Sequence, residues 1–370
     1  MAATITCSCS TKTYFGRWMT WRASDIKDHE KFPSHQFKAS SSPYFFVKSE
    51  NESLASLVVT SHKGKRAPIQ EVLRRSGTTA FLVIQNDTLV YENYFNGYDR
   101  SSVNTSFSVA KSVTSLMIGK AIDDGVIHSV NDPVVQYLPE LRALNGVTLD
   151  YLLNMRSGIQ FKDHDLPWGD KPKAYYHPRL RQRIGELNLK RRPGTRFQYN
   201  SYNPIIVGMV LERVTCQSPA QYFESKIWSK LGMEYDGSWS MDSRASGMTK
   251  MESGLNIRPI DFAKIGRLIL NRGRWNTEEV VSENWIANLY KISDNNGVKD
   301  FGSGIHYEKF WWLFSNGSEQ AYIISGWGHL GQYLYIFPKE KIIIVRMGKS
   351  KGRIDSWKTI FTELVDHLER

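Results

Sequence analysis

The stretch Ser108-Val109-Ala110-Lys111 decides how the rest of the chain is understood, because it places a hydroxyl and an amine three residues apart. Apolar residues follow at near-helical spacing until Gly125, which is typical of a helix that ends there; they are Val109, Val113, Leu116, Met117 and Ala121. Ser106 is the expected N-cap of this amphipathic helix. Residues i and i+3 share a helix face, so Ser108 and Lys111 would lie within reach of each other.

This arrangement suits nucleophilic catalysis. An oxyanion that forms at Ser108 would meet the free backbone N–H groups and the positive end of the helix dipole. Lys111 would be placed to take the serine proton. A serine three residues before a lysine is common by chance, so the prediction depends on the rest of the chain.

Composition favours a folded protein with a large core. The chain has 370 residues, of which 41% are hydrophobic and 12% aromatic, enough for one large domain or two closely joined ones. The formal net charge is +11, yet basic residues are scattered except between 179 and 192, and no nucleic-acid motif accompanies them. We therefore expect no nucleic-acid partner.

Cysteine and histidine usage predicts neither a cofactor nor a metal. Three cysteines, Cys7, Cys9 and Cys216, do not make a disulfide framework, and they lack zinc-binding spacing. No apolar run of about 18 residues and no secretory signal pattern is evident. The expectation is a protein without a membrane span, soluble by default; its compartment is left open.

The chain in order predicts an α+β fold. Residues 1–60 have little periodicity and are expected to form an irregular lead-in to a domain at 61–370. Runs at 79–84 and 89–95 predict a hairpin, since Asn and Asp between them tolerate a left-handed backbone. Prolines break residues 130–254 into a helical subdomain.

The final third predicts a return to strands. A helix is expected at 259–270, strands at 322–325, 333–337 and 342–345, and a last helix at 355–369. The glycines between 326 and 331 indicate close approach of another group to the backbone. The expected architecture is an antiparallel sheet flanked by helices, with strands from both ends of the sequence and a helical subdomain inserted between them.

Five motifs together carry a resemblance to a known superfamily. They are Ser108-Val109-Ala110-Lys111, Leu152-Leu153-Asn154-Met155-Arg156-Ser157-Gly158-Ile159, Phe197-Gln198-Tyr199-Asn200-Ser201, Leu231-Gly232-Met233 and Gly328-His329-Leu330-Gly331-Gln332. In this order they resemble the serine β-lactamase and penicillin-binding-protein superfamily, in its class C and carboxylesterase-like branch. The chain is most similar there to the aminohexanoate-dimer (nylon oligomer) hydrolases, from about Arg66 to the C-terminus.

Two departures from the superfamily pattern bear on the substrate. Ser201 stands where the second motif usually ends in asparagine, with Asn203 two residues further on. The third motif lacks the Lys-Thr-Gly that binds a substrate carboxylate in β-lactamases and transpeptidases. Both departures disfavour a penicillin as the natural substrate.

The resemblance implies a role for each candidate residue. Ser108 would be the acyl-forming nucleophile, Lys111 would take its proton, and Tyr199 would move that proton as a phenolate or as a hydrogen-bonded relay. The backbone N–H of Ser108 and a second N–H, from His329 or Gln332, would bind the oxyanion. Trp327, together with Trp168 and Tyr175, would line the pocket.

The prediction is a serine hydrolase that cleaves a small-molecule ester or amide through an acyl-enzyme. The alternative is a β-lactam sensor or penicillin-binding-type protein that acylates without efficient turnover. An α/β-hydrolase is disfavoured because no G-x-S-x-G elbow occurs, and a zinc hydrolase because no H-x-x-x-H spacing occurs. The natural substrate and the oligomeric state stay open.

Overall fold

A computed structural model describes residues 10–293, 298, 302 and 304–370 of the protein. The helices are α1 (Tyr14–Trp21), α2 (Glu52–Ser56), α3 (Ile69–Arg75), α4 (Val109–Asp123), α5 (Val134–Tyr137), α6 (Leu149–Leu153), α7 (Asp170–Tyr176), α8 (Leu180–Gly185), α9 (Tyr202–Thr215), α10 (Pro219–Lys226), α11 (Pro259–Leu270), α12 (Glu283–Tyr290) and α13 (Trp357–Leu368). The strands are β1 (Ser34–Phe37), β2 (Val47–Lys48), β3 (Val58–Thr60), β4 (Arg66–Pro68), β5 (Thr78–Gln85), β6 (Thr88–Tyr94), β7 (Asn104–Thr105), β8 (Gly237–Ser240), β9 (Leu255–Ile257), β10 (Arg274–Trp275), β11 (Glu278–Glu279), β12 (Ile305–Glu308), β13 (Trp311–Phe314), β14 (Ile323–Gly328), β15 (Gln332–Phe337) and β16 (Ile342–Gly348). Cys7 and Cys9 lie outside the described residues.

The main sheet has eight strands in the order β12-β13-β14-β15-β16-β5-β6-β2. Its neighbours are antiparallel except at the edge, where β2 runs parallel to β6. Strands from the two ends of the sequence meet where β16 pairs with β5. The predicted α+β architecture, with its helical segment between the two sets of strands, is therefore confirmed.

Two hydrophobic layers cover the two faces of this sheet. On one face α13 packs through Phe361, whose ring lies 4.9 Å from that of Tyr335. On the other face α4 and α11 pack against β14, β15 and β16. The helix predicted at 355–369 starts at Trp357 because the Ser356 side chain caps it.

The first hairpin forms as predicted. Strands β5 and β6 are joined by Asn86 and Asp87, both left-handed with φ of 49° and 61°. Two left-handed residues match the twist of a two-residue hairpin. The hairpin leads toward α4, which carries Lys111.

The predicted amphipathic character of the Ser108 helix is wrong. Nearly every residue of α4 from Val109 to Ala121 is buried, including the polar Lys111, Ser112 and Thr114. The helix is surrounded by the sheet and by other helices, so it has no polar, solvent-exposed face opposite an apolar one. The predicted cap is also wrong: Ser108 itself occupies the N-cap position, while Ser106 is buried before it.

The N-terminal segment packs onto the body of the molecule. Strand β1 pairs with β8 in a second, four-stranded sheet. Phe37 at the end of β1 is fully buried between Phe223 and Trp228. The division into a lead-in at 1–60, a domain at 61–370 and a helical subdomain at 130–254 stays a prediction. Across the described ranges, no helix has the length and apolarity needed to cross a bilayer.

Candidate active site

Ser108 and Lys111 meet at the start of α4, as their spacing predicts. The Lys111 amine donates a hydrogen bond to Ser108 Oγ over 2.9 Å. Phe107, directly before the serine, has a left-handed backbone with φ of 49°. That conformation is unfavourable for a bulky residue, and strain of this kind recurs at active sites. It turns the chain sharply, so that Ser108 keeps part of its surface exposed at the helix entrance.

The environment of Lys111 favours the neutral amine. Its side chain is 1% exposed, and its second hydrogen bond is to the backbone carbonyl of Glu252, at 2.7 Å. Burial lowers the pKa of Lys111 to about 7, although the nearby Glu252 carboxylate acts in the opposite direction. Desolvation therefore gives this lysine a proton affinity suited to a base near neutral pH.

A buried ion pair lies directly beside Lys111. Lys250 donates to Glu252 Oε1 and to the Tyr175 carbonyl, each at 2.6 Å, and is 1% exposed. The Lys250 amine also lies over the rings of Tyr175 and Phe32, 4.4 and 4.7 Å from their centroids. These contacts fix the segment whose carbonyl accepts the Lys111 hydrogen bond.

Tyr199 lies on a loop that the Leu152–Ile159 motif supports. The Gln198 backbone N–H donates to the Met155 carbonyl over 2.8 Å. The Asn200 amide donates to the Ile159 carbonyl over 3.3 Å and also accepts the Tyr202 backbone N–H. These hydrogen bonds attach the residues before and after Tyr199 to the Leu152–Ile159 motif.

Asn203 also belongs to this support. Helix α9 begins at Tyr202 after Ser201, and Asn203 lies in its first turn. The Asn203 side chain accepts from Ser157 Oγ at 2.8 Å and donates to the Leu152 carbonyl at 3.1 Å. It is fully buried and joins α9 to the same motif.

Tyr199 reaches both members of the Ser108 pair. The Ser108 side chain lies close enough to the Tyr199 hydroxyl to lower the pKa of the phenol. The Tyr199 ring centroid lies 5.1 Å from the Lys111 amine. Burial raises the pKa of Tyr199 well above its usual value, and the interaction with Ser108 only partly offsets this. The phenol is therefore protonated at neutral pH.

Strand β14 forms the third side of the site. A Cβ added to Gly326 would lie 2.6 Å from Val109 Cγ1 and 3.2 Å from Ser112 Oγ. The predicted close approach at these glycines is thus the packing of β14 on α4. The strand is longer than expected, extending through Gly328, which faces the Ser106 carbonyl.

The predicted pocket residues lie around this site at different depths. Trp327 is partly buried and stacks on Trp312 at 4.5 Å, and the Trp312 ring in turn lies 6.0 Å from that of Tyr199. His329 is at the rim, edge-on to Phe107 at 5.4 Å. Desolvation, followed by Lys171 and Lys351, lowers the pKa of His329. The imidazole is therefore neutral at physiological pH.

The remaining predicted residues are less directly placed. Tyr175 donates to Asp28 in the N-terminal segment, and its ring lies 6.2 Å from that of Phe107. Trp168 is 60% exposed on a surface loop. Gln332 is fully buried, and its side-chain amide is bonded to backbone groups of His329 and Gly348.

Sequence reasoning missed Phe32, Lys250 and Glu252. No periodic pattern surrounds Phe32 in the sequence. Lys250 and Glu252 could have been noticed in the sequence. They are two opposite charges, two residues apart, and the other residues from Met248 to Leu255 are apolar or have small side chains. No group of three or more His, Cys, Asp or Glu side chains is arranged to hold a metal within the described part of the chain.

The chain matches known proteins over most of its length. The profile of the β-lactamase family matches residues 69–368. The 6-aminohexanoate-dimer hydrolase of Paenarthrobacter ureafaciens is 26% identical over 299 residues, which cover 75% of this chain and 74% of that protein.

Two solved structures show the same fold. A provisionally named 6-aminohexanoate-dimer hydrolase from Bacillus anthracis aligns with a TM-score of 0.82 at 23% identity, covering 95% of each chain. The octameric penicillin-binding protein homologue from Pyrococcus abyssi aligns with a TM-score of 0.63 at 20% identity, covering 82% of this chain and 76% of that one. The chain therefore belongs to the β-lactamase family and is a hydrolase of the serine β-lactamase superfamily.

Proposed function

We propose that the protein cleaves an ester or amide bond through an acyl-enzyme formed on Ser108, with Lys111 as the base. One observation carries the proposal: a lysine amine, buried and with its pKa lowered to about 7, lies 2.9 Å from a serine hydroxyl at a helix N-terminus. The neutral amine accepts the serine proton as the oxygen attacks the acyl carbon. The leaving group departs and leaves the acyl group on Ser108.

Tyr199 acts in this proposal as a proton relay. Its hydroxyl lies near the Ser108 side chain, and its pKa, which burial raises, keeps it a phenol. A phenol donates a proton to the leaving oxygen or nitrogen while it receives the one held by Lys111. The same path in reverse activates water for deacylation. A relay through the protonated phenol is therefore favoured over a phenolate that exists before the reaction starts.

The backbone N–H groups of Ser108 and His329 form the proposed oxyanion hole. Gly328 pairs with Gln332 across the hairpin that the turn 329–331 closes, so the Gln332 backbone belongs to the ladder between β14 and β15. The His329 N–H lies outside that pairing. The pairing therefore favours His329 over Gln332 as the second donor.

A linear amide or an ester is the proposed substrate class. The relative from Paenarthrobacter ureafaciens is named for hydrolysis of a 6-aminohexanoate dimer. The third motif of this chain offers glycines, Trp327 and His329 in place of a lysine for a substrate carboxylate. A panel of p-nitrophenyl esters, linear amides, nitrocefin and D-alanyl peptides separates these substrates.

An active-site probe tests the nucleophile. A fluorophosphonate should label the wild type at Ser108, while Ser108→Ala should lose the label and Ser101→Ala, at an exposed position, should keep it. Lys111→Ala should fold but lose turnover by roughly a thousandfold or more, because the serine then has no base. An adduct at another residue refutes the assignment, and a stoichiometric acylation without turnover supports the alternative of a sensor.

A further inference from the structure

Arg346 on β16 is a fully buried cation that has no carboxylate partner among the described residues. Its guanidinium donates instead to neutral oxygens. Nη1 donates to the Gly331 carbonyl at 2.6 Å, Nη2 to the Ser350 carbonyl at 2.7 Å, and Nε to Thr78 Oγ1 at 2.9 Å. The group also lies over the Trp357 ring, 4.0 Å from its centroid. Burying an arginine without a carboxylate partner costs free energy, which indicates that its hydrogen bonds have a specific role.

One of these bonds reaches the turn that carries His329. Leu330 and Gly331 in that turn are both left-handed, with φ of 61° and 83°. A left-handed leucine costs about 1 to 2 kcal/mol, so the turn does not hold this shape unaided. Its shape has to be imposed by neighbours.

The Gln332 side chain supplies a second restraint. Its amide N–H donates to the His329 carbonyl at 3.1 Å and to the Gly348 carbonyl, while its oxygen accepts the Gly348 N–H at 3.1 Å. Arg346 and Gln332 thus hold the carbonyls of Gly331 and His329 from the side of β16.

Two glycines make room for this arrangement. A Cβ at Gly331 or at Gly348 would overlap Arg346 Nη1. The glycine after Leu330 is therefore required by the arginine beside it as well as by its own positive φ. This couples the last glycine of the third motif to a residue on the neighbouring strand.

We propose that Arg346 and Gln332 are positioning residues that fix the 329–331 turn so that the His329 backbone N–H faces the oxygen of the acyl group bound to Ser108. This inference rests on the proposed function. It assigns Gln332 a supporting role through its side chain, whereas the resemblance also allowed its backbone N–H as the second donor.

Arg346→Lys and Gln332→Met test the proposal. Lysine keeps the charge but offers no planar fork for the Gly331 and Ser350 carbonyls, and methionine keeps the volume of glutamine without its amide. Arg267→Lys is the matched control, because Arg267 is also buried and stacked on aromatic rings but pairs with Asp87 away from the site.

The readouts are kcat, KM and the affinity for a boronic acid that forms a tetrahedral adduct with Ser108. We expect Arg346→Lys and Gln332→Met to lower kcat by roughly 10- to 100-fold, because a donor displaced by a fraction of an ångström loses much of its effect on the transition state. Boronate affinity should fall in parallel, KM should change little, and Arg267→Lys should keep wild-type kcat in its folded fraction.

The possible failures are distinct. If the wild type does not react with the probe at Ser108, the proposed function fails. If the wild type reacts and the two variants, still folded by circular dichroism, keep kcat and boronate affinity within twofold, the positioning role is refuted. A loss of kcat in Arg267→Lys equal to that in Arg346→Lys also refutes it, because the effect would then follow destabilisation alone.

Discussion

The choice of Lys111 as a base follows from what surrounds each buried lysine. Lys111, Lys250 and Lys264 are the buried lysines of the described chain, each at most 1% exposed. Lys264 pairs with Asp261 at 3.1 Å and Lys250 with Glu252 at 2.6 Å, so a carboxylate favours the ammonium in both. Lys111 bonds only to a hydroxyl and a carbonyl. Burial without a carboxylate bond is what makes its amine available as a base.

The pH profile of catalysis should reflect this lysine. Only the neutral amine accepts a proton, so we expect kcat/KM to rise with pH through an apparent pKa of about 7. The Glu252 carboxylate favours the ammonium, and Glu252→Gln removes that effect while it leaves Lys250 as a second uncompensated cation. Both changes lower the pKa of Lys111, so the acid limb of kcat/KM should move to lower pH. Steady-state rates on a p-nitrophenyl ester between pH 5 and pH 9 measure it.

An exposed carboxylate supplies the comparison for that profile. Glu279 lies on β11 in an exposed position, and Glu279→Gln should leave the acid limb where it is. If Glu252→Gln moves the limb to higher pH, or not at all, Lys111 is not the group that the profile reports.

At the scale of elements, the site depends on how closely β14 approaches α4. The glycine run from 326 to 331 predicted a close approach, and Gly326 makes that contact with Val109 and Ser112. The spacing of hydrophobic residues and the local amino-acid composition were sufficient to predict strands β5, β6, β15 and β16, helix α11 and the hairpin turn. Each of these features depends on neighbouring residues in the sequence. Which residues of β14 face α4 depends on the pairing of Gly328 with Gln332, a contact that no local pattern specifies.

The same limit applies to residues far apart in sequence. The motifs predicted Ser108, Lys111 and Tyr199, which the structure brings together. Glu252 and Phe32 escaped prediction, since a backbone carbonyl and a packed ring become significant only through tertiary contacts. The spacing of apolar residues predicts an amphipathic helix around Lys111, whereas the small and hydroxylated residues between them are buried in the core as well.

Gly326→Ala should separate β14 from α4. The added methyl would lie 2.6 Å from Val109 Cγ1, so the strand or the helix has to shift. We expect a loss of about 1 to 3 kcal/mol in the free energy of unfolding and a fall in kcat of at least tenfold. Urea denaturation and ester hydrolysis measure the two effects.

Gly185→Ala is the control for this substitution. Gly185 ends helix α8, and nothing lies within 4 Å of the position of its missing Cβ. Alanine there should be neutral or stabilise by up to about 1 kcal/mol, with kcat unchanged. Equal stability and activity in Gly326→Ala and Gly185→Ala would show that β14 does not need its glycine.

At the scale of the whole molecule, the N-terminal segment contributes to the site. Asp28 accepts a hydrogen bond of 2.6 Å from Tyr175, and Phe32 lies against both Tyr175 and Lys250. Lys250 in turn holds Glu252, whose carbonyl accepts from Lys111. Residues near the start of the chain thus support the base through three successive contacts, which is why we expect the segment to unfold together with the rest of the protein.

Phe37→Ala tests this cooperativity. Phe37 is fully buried in the core, where its ring centroid lies 5.5 Å from that of Phe223 and 5.1 Å from that of Trp228. Its truncation should lower the free energy of unfolding by about 3 to 5 kcal/mol, whereas Phe45→Ala, at a ring that is 65% exposed, should change it little.

If the segment is integral to the fold, urea should unfold Phe37→Ala in one transition, at a lower midpoint, and hydrolytic activity should disappear with the fluorescence change. A transition at the wild-type midpoint, preceded by a small early step, would instead mean that the segment detaches from a body that is stable without it.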